Sequence, residues 1–325
     1  MPVITLVGAT ATGKSSLAIE LARALGCDGV SAEIVNADSM LVYRGMDIGT
    51  AKPSFEERAG VPHHLIDIMD VRESASVAVF RDLARASIAD VRARGGVPIL
   101  VGGSALYLHA IVDRFDFPPT DDSVRARLEQ ELEDKGAPVL YTRLQTADPK
   151  AAAGILPTNG RRIVRALEAL ELTGSFTPTL PAWEYALDNV VQIGLDLDRP
   201  EMDKRIEARV HAMWEHGLVE EVRGLLDHGL RQGKTASRAI GYAQTIAYID
   251  QQVTADQAKE STTIRTRQFS RKQLSWWRRD PRIHWARSES VSVDDIRALV
   301  TRALEDSDRV EVGNGANETT PGSPE

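Results

Sequence analysis

The stretch Gly8-Ala9-Thr10-Ala11-Thr12-Gly13-Lys14-Ser15 decides how the rest of the chain is read. Its pattern, G-x-x-x-x-G-K-S, is that of a phosphate-binding loop. Small residues let backbone N–H groups surround phosphate oxygens, Lys14 supplies positive charge, and Ser15 can hold a Mg²⁺ ion. In front of it, Pro2-Val3-Ile4-Thr5-Leu6-Val7 reads as a short buried strand. Behind it, Ser16 to Leu25 carries helical periodicity. The loop therefore joins a strand to a helix N-terminus, where unbonded N–H groups favour an anion. A phosphate or diphosphate is expected there, and the loop leaves open what is attached to it.

Composition sets the outer limits. The chain has 325 residues, 42% of them hydrophobic, enough for one large domain and a smaller one. Cys27 is the single cysteine, which excludes an intramolecular disulfide and a Cys-based zinc cluster and suits a reducing compartment. Met1-Pro2 runs straight into the first strand, so no signal peptide is expected, and no apolar run approaches the ~18 residues of a membrane span. A cytoplasmic, monomeric protein without a membrane partner is expected. The net charge of −8 hides an asymmetry: Glu305, Asp306, Asp308, Glu311, Glu318 and Glu325 face only Arg309 in the tail. Conversely, Thr263 to Arg282 holds Arg265, Arg267, Arg271, Lys272, Arg278, Arg279 and Arg282 against Asp280. Such a helix is either a solvated face or an electrostatic footprint for nucleic acid.

Along the chain, Glu33 to Asn36 is a second strand that delivers Asp38-Ser39 at its carboxyl end, near the phosphate loop. Gly49 to Ser54 is a turn-rich loop, and His63 to Ile68 reads as a strand. Phe80 to Arg94 reads as an amphipathic helix and Val97 to Val101 as a buried strand ended by Gly102-Gly103-Ser104. Alternation of strands and helices predicts a parallel sheet with helices on both faces. From about Phe115 the pattern changes. Residues 124–174 are helical in texture, with caps at Asp122-Ser123 and Asp148-Pro149 and stops at Gly136 and Gly174; Val190 to Leu195 rejoins the sheet. Arg199 to Gly229 is helical with a break at Gly217, and Ala255 to Trp277 is a long helix. The fold class is thus α/β, a P-loop NTPase-like parallel sheet flanked by helices with an inserted all-helical lobe. Residues 1–114 and 188–305 form the core, 115–187 the lobe, and 306–325 an acidic tail too poor in apolar residues to order itself.

For a phosphate-loop hydrolase one looks for an apolar strand ending in an acid that places metal and water. Here Val97 to Ser104 ends in glycines and a serine, which favours a phosphate that serves as handle or leaving group. Asp38 is read either as a helix N-cap or as a general base for an amine or hydroxyl. Ser104 either caps the helix from Ala105 or donates to a phosphate oxygen. Arg223 is either a surface ion pair or a diphosphate clamp. Trp276-Trp277, beside Arg278-Arg279, either stack on bases or belong to the core. A metal at His63-His64 is rejected, because adjacent strand residues point to opposite faces.

Taken together, GATATGKS (Gly8 to Ser15), NADSMLVYRGMDIGTAKP (Asn36 to Pro53), PHHLID (Pro62 to Asp67), LVGGSALYL (Leu100 to Leu108), RALE (Arg165 to Glu168), GLVEEVRGLL (Gly217 to Leu226), SRAIGYAQ (Ser237 to Gln244) and TRQFSRKQLSWWRR (Thr266 to Arg279) closely resemble the tRNA dimethylallyltransferases, also called tRNA isopentenyltransferases. The resemblance covers roughly residues 2–287. It implies transfer of a dimethylallyl group from dimethylallyl diphosphate to N6 of the adenosine 3′ of the anticodon, in tRNAs reading codons that begin with U. By resemblance, Asp38 is the base and Ser104, where the family usually has Thr, donates to a diphosphate oxygen. Gly8 to Ser15 and Arg223 hold the diphosphate, and Ser15 holds Mg²⁺. The tRNA anticodon stem-loop would meet Asp38, Ser39, Met40, Leu41, Ser104, Arg125, Arg238, Gly241, Tyr242, Gln244 and Arg271, with the adenine flipped out of its stack. Ala243 stands where the family commonly has Lys or Arg, which leaves that RNA contact open. The competing readings are an adenylate isopentenyltransferase acting on free AMP, an ATP-dependent small-molecule kinase and a non-catalytic RNA-binding protein.

Overall fold

A computed structural model describes residues 1–115, 117–177 and 182–302. The tail expected to be disordered, 306–325, lies outside the described residues. Two compact units emerge, one made of Met1–Asp113 with the chain from Tyr185 onward, the other of Arg114–Glu184. The first unit begins with β1 (Val3–Gly8), α1 (Lys14–Cys27), β2 (Ala32–Asn36), β3 (His63–His64), α2 (Val77–Ala93), β4 (Val97–Val101) and α3 (Ala105–Val112). The second unit holds α4 (Asp122–Lys135), α5 (Ala137–Ala147), α6 (Pro149–Ala153) and α7 (Gly160–Thr173). The chain then returns with β5 (Val190–Asp196), α8 (Arg199–Glu215), α9 (Leu218–Asp227), α10 (Tyr242–Ile249), α11 (Ala255–Trp277) and β6 (Ile283–Arg287).

The six strands form one all-parallel sheet in the order β3-β2-β4-β1-β5-β6. Both faces of its centre are covered, which is why β4 (Val97–Val101) reads as an unbroken apolar run and β1 is interrupted only by Thr5. Val3 and Val7 of β1 pack on one side with Ile88 of α2 and Leu108 of α3. Ile4 and Leu6 pack on the other with Leu17 and Leu21 of α1. Each such fully buried side chain contributes about 1.5–3 kcal/mol. In the second unit, Leu128, Leu140, Leu144, Ile163 and Leu167 make a separate core. Two of its four helices start on carboxylate caps: Asp121 accepts from the Ser123 and Val124 N–H groups, and Asp148 from that of Ala151.

Three local expectations change. The strand expected over His63 to Ile68 is only two residues long. Leu65 and Asp67 adopt left-handed φ values of 61° and 59°, which turn the chain out of the sheet. β6 has no counterpart in the sequence reading. It is an edge strand in which Ile283 is buried while His284, Trp285 and Arg287 are exposed, so it lacks the apolar run of the central strands. Finally, Tyr185 and Leu187, assigned above to the helical lobe, pack against the core of the first unit. Among the described residues no helix is long and apolar enough to cross a membrane.

Candidate active site

Strand order brings the chemistry together. β2, β4 and β1 are neighbours, with Asn36 registered against Val101 and Val101 against Leu6. Their carboxyl ends run into the Asp38 segment, the Gly102-Gly103-Ser104 turn and the phosphate loop respectively, so three sequence-distant segments line one edge of the sheet.

The phosphate loop is held from inside and outside. Thr12 Oγ1 donates to the Ala9 carbonyl at 2.9 Å, and Ser288, just past β6, donates its hydroxyl to the Thr12 carbonyl at 2.6 Å. The Thr10 N–H donates to Gln273 Oε1 of α11 at 3.0 Å. Gly13, in the left-handed region, precedes the first turn of α1, whose N–H groups have no intrahelical acceptor and so suit an anion. Ser15 is exposed in that turn. Lys14 Nζ donates to the Ala9 carbonyl at 2.5 Å and lies 3.4 Å from Thr12 Oγ1. Burial, reinforced by the charge of Arg209 and opposed by that of Asp38, brings the Lys14 pKa down to about 8.

Arg209 reaches the loop. Its Nη1 donates to Thr10 Oγ1 at 3.2 Å, and the protein around its guanidinium lowers its pKa by desolvation, although solvent still reaches the side chain. Arg223, the arginine expected here, sits exposed on α9 with Glu220 3.7 Å away. The signal that separates them is helical periodicity. Met202 and Ile206 of α8 pack beneath the loop against Ala9 and Ala11, and Arg209 follows on the same stripe. Arg223 instead falls beside Val222, which faces a different core.

Asp38 caps no helix: residues 39–42 are bends and turns. Its N–H donates to Asn36 Oδ1 and its Oδ1 accepts from the Met40 N–H, both at 2.8 Å. Burial raises its pKa above the ordinary carboxylate value, against the lowering effects of the Met40 N–H and of Lys14. Ser104 occupies the N-cap position of α3 without a side-chain capping bond. Its Oγ lies 3.3 Å from Ser39 Oγ and accepts weakly from the Ser39 N–H at 3.5 Å. The hydroxyl pair and the carboxylate thus face the same side of the β2–β4 junction as the loop.

The residues expected along an RNA path divide. Ser39, Met40 and Leu41 are half-buried and Arg238 is exposed. Tyr242 and Gln244 turn inward instead. Tyr242 is 0% exposed and donates its hydroxyl to Glu221 Oε1 at 2.5 Å; Gln244 accepts from the Gly241 N–H at 2.8 Å and caps α10. Neither side chain presents a surface, and Glu221 gathers the groups around Tyr242. Its carboxylate also accepts from the N–H groups of Asp47, Ile48 and Gly49 at 3.0, 2.6 and 3.2 Å. Sequence reasoning gave Glu221 no role, although it lies within the GLVEEVRGLL stretch, because the neighbouring Arg223 drew the functional reading. In the helical unit Arg125 holds the fully buried Glu168 at 2.7 Å. On α11 and the turn that follows it, Arg267, Arg278 and Arg282 are ion-paired to Glu207, Asp196 and Asp113, whereas Arg265, Arg271, Lys272 and Arg279 are exposed with no ion pair among the described residues. Trp277 is core and Trp276 packs against it. Arg271 and Arg278 line an open cavity of about 490 Å³ with Asp196, Asp198 and Met202.

Comparison with known proteins agrees with this geometry. The family model described as IPP transferase matches residues 41–280. The chain is 52% identical over 306 residues to a tRNA dimethylallyltransferase of Nocardioides sp., covering 94% of this chain and 97% of that one, and 56% identical over 300 residues to that of Thermobifida fusca, covering 92% and 94%. Among solved structures, the full-length tRNA isopentenylpyrophosphate transferase of Bacillus halodurans superposes with a TM-score of 0.69 at 38% identity, covering 95% of this chain and 99% of that one. A eukaryotic dimethylallyltransferase captured acting on tRNA gives 0.70 at 25% identity, covering 88% and 74%. With the matched residues spanning most of its length, this chain belongs to the IPP transferase family.

Proposed function

We propose that the chain is the prenylating enzyme of tRNA that its family membership indicates, transferring a dimethylallyl group from dimethylallyl diphosphate to N6 of the adenosine 3′-adjacent to the anticodon, in tRNAs reading codons that begin with U. The observation that carries the reading is the meeting of Asp38, Ser104, Lys14 and Arg209 at adjacent strand ends. The allylic C–O bond breaks as the N6–C bond forms, the diphosphate leaves with the bonding electron pair, and N6 gives up one proton. Lys14, Arg209 and the α1 N-terminus face the charge that develops on the diphosphate. Ser104 donates to a diphosphate oxygen once its contact with Ser39 gives way. Asp38 accepts the N6 proton; burial raises its basicity, and the Met40 N–H keeps it oriented. The exposed Ser15 hydroxyl beside phosphate oxygens suits a hard cation, and Mg²⁺ held there would supply further neutralisation of the leaving diphosphate. Arg265, Arg271, Lys272 and Arg279 offer unpaired charge to tRNA phosphates.

The test supplies labelled dimethylallyl diphosphate with unmodified tRNA in one tube and AMP in another. Label is expected in tRNA at the adenosine beside the anticodon. Label in AMP alone would overturn the reading in favour of a free-nucleotide acceptor.

A further inference from the structure

Gln273 lies on α11, about 170 residues along the chain from the Ser104 turn and 263 from Thr10. Its side chain is 6% exposed and reaches both segments at once. Oε1 accepts from the Thr10 N–H at 3.0 Å, and Nε2 donates to the Gly103 carbonyl at 2.9 Å. The partners fix the amide's orientation, since a peptide N–H can only donate and a carbonyl can only accept. The Gly102-Gly103 turn has no room to slide. A Cβ on Gly103 would stand 2.4 Å from Gln273 Nε2, and one on Gly102 would stand 2.4 Å from the carbonyl oxygen of Ala37, the residue before Asp38. Ala37, the glycine turn, the Gln273 amide and Thr10 are therefore in consecutive contact.

We propose that Gln273 is a positioning residue for the transfer reaction, the spacer that sets the distance between the diphosphate loop and the turn bearing Ser104, and through that turn the Asp38 segment. This rests on the transferase reading above. A neutral carboxamide presents an acceptor and a donor on one planar group, and here each is aimed at its backbone partner. An ionised carboxylate would turn its second oxygen against the Gly103 carbonyl. A thioether would leave both backbone groups without a partner. Misplacement of reacting groups by about 1 Å costs on the order of 10²-fold in rate.

Gln273→Glu distinguishes positioning from mere packing, because a protonated carboxyl restores the donor that an ionised one lacks. At pH 8 the variant is expected to lose about 10- to 100-fold in kcat with a smaller change in the KM for dimethylallyl diphosphate. Its kcat relative to the unaltered enzyme should climb as pH falls toward 6, while Gln273→Met stays low throughout. A ratio that is flat with pH, or a Gln273→Glu enzyme as fast as the unaltered one, overturns the proposal. Amide hydrogen exchange at Thr10 in the unaltered, ligand-free protein provides a second measurement that needs no variant to fold and no turnover. Protection of that N–H is expected, and exchange at the rate of an open loop amide also overturns the proposal. If the unaltered enzyme transfers nothing to tRNA, the transferase reading fails separately, and the exchange measurement still decides whether Gln273 holds the loop.

Discussion

Two acid–base groupings in the same unit are built on opposite principles. Around Asp113, which is 0% exposed, every charge is answered: Arg282 donates to its two oxygens at 2.6 and 2.8 Å, Asp280 takes Arg282 Nε at 2.9 Å, and Gln192 completes Asp280 at 2.9 Å. The Arg282 guanidinium also lies 3.9 Å from the Tyr185 ring centroid. Burial works against the Arg282 cation, yet its bonds to Asp280 and Asp113 raise its pKa above the usual value. Around the phosphate loop the charges are near one another but unanswered. Asp38 receives one backbone N–H, and Lys14 spends its ammonium on a backbone carbonyl. Both have pKa values moved towards neutrality. The first grouping closes the chain at Asp113 and Tyr185, where it leaves and re-enters the unit. The second keeps charge available to a ligand.

Substitution should separate them. Asp38→Asn is expected to lower kcat by about 10²- to 10⁴-fold in the tRNA assay. It should leave stability unchanged or raised: a folded pKa above the unfolded one means that ionised Asp38 opposes folding at neutral pH, an opposition that fades as pH falls through the folded value. A variant that loses stability instead would place Asp38 with the structural grouping. For Arg282→Met the reverse is expected. Two buried carboxylates lose their partner, so denaturant unfolding should report a loss of about 3–5 kcal/mol, while the remaining folded enzyme keeps its turnover.

The two arginines give an intermediate contrast. Arg209→Ala should cut kcat/KM for dimethylallyl diphosphate by about 10²- to 10³-fold, and Arg223→Ala should stay within about threefold of the unaltered enzyme, as befits a surface pair. Equal losses would return Arg223 to the site. Tyr242→Phe removes one hydrogen bond to Glu221 and should cost about 1–2 kcal/mol of stability, with tRNA affinity unchanged; a large loss of affinity at unchanged stability would make Tyr242 an RNA contact. The smallest signal is a proton. With Lys14 at about 8, diphosphate binding near pH 9 should draw a proton into the site, visible as a buffer-dependent heat in calorimetry, and that heat should vanish near pH 6.5 where Lys14 is already charged.

Much of the fold was legible because local and global signals agree where strands are buried on both faces. β4 over Val97–Val101 and α11 over Ala255–Trp277 have the limits read from sequence. β6 was illegible because an edge strand buries little, and the strand from His63 was overread because a left-handed Leu65 leaves no mark in composition. The site followed the same rule. Lys14 and Asp38 sit in motifs whose chemistry is local, whereas Arg209 and Ser288 lie outside the quoted motifs, and Gln273 and Glu221, though inside them, act through partners on other elements that no spacing encodes.

By itself, then, the sequence determined that a phosphate-loop motif stands at a strand–helix junction and that a carboxylate stands at the end of the next strand. Those are properties of short segments, where a glycine's freedom or a helix's unbonded N–H groups suffice. Only the tertiary structure decided that Arg209 touches the loop, that Tyr242 faces inward, and that one amide spans Thr10 and Gly103. Each depends on which helix face is buried against which strand end, and that is settled by packing the whole unit.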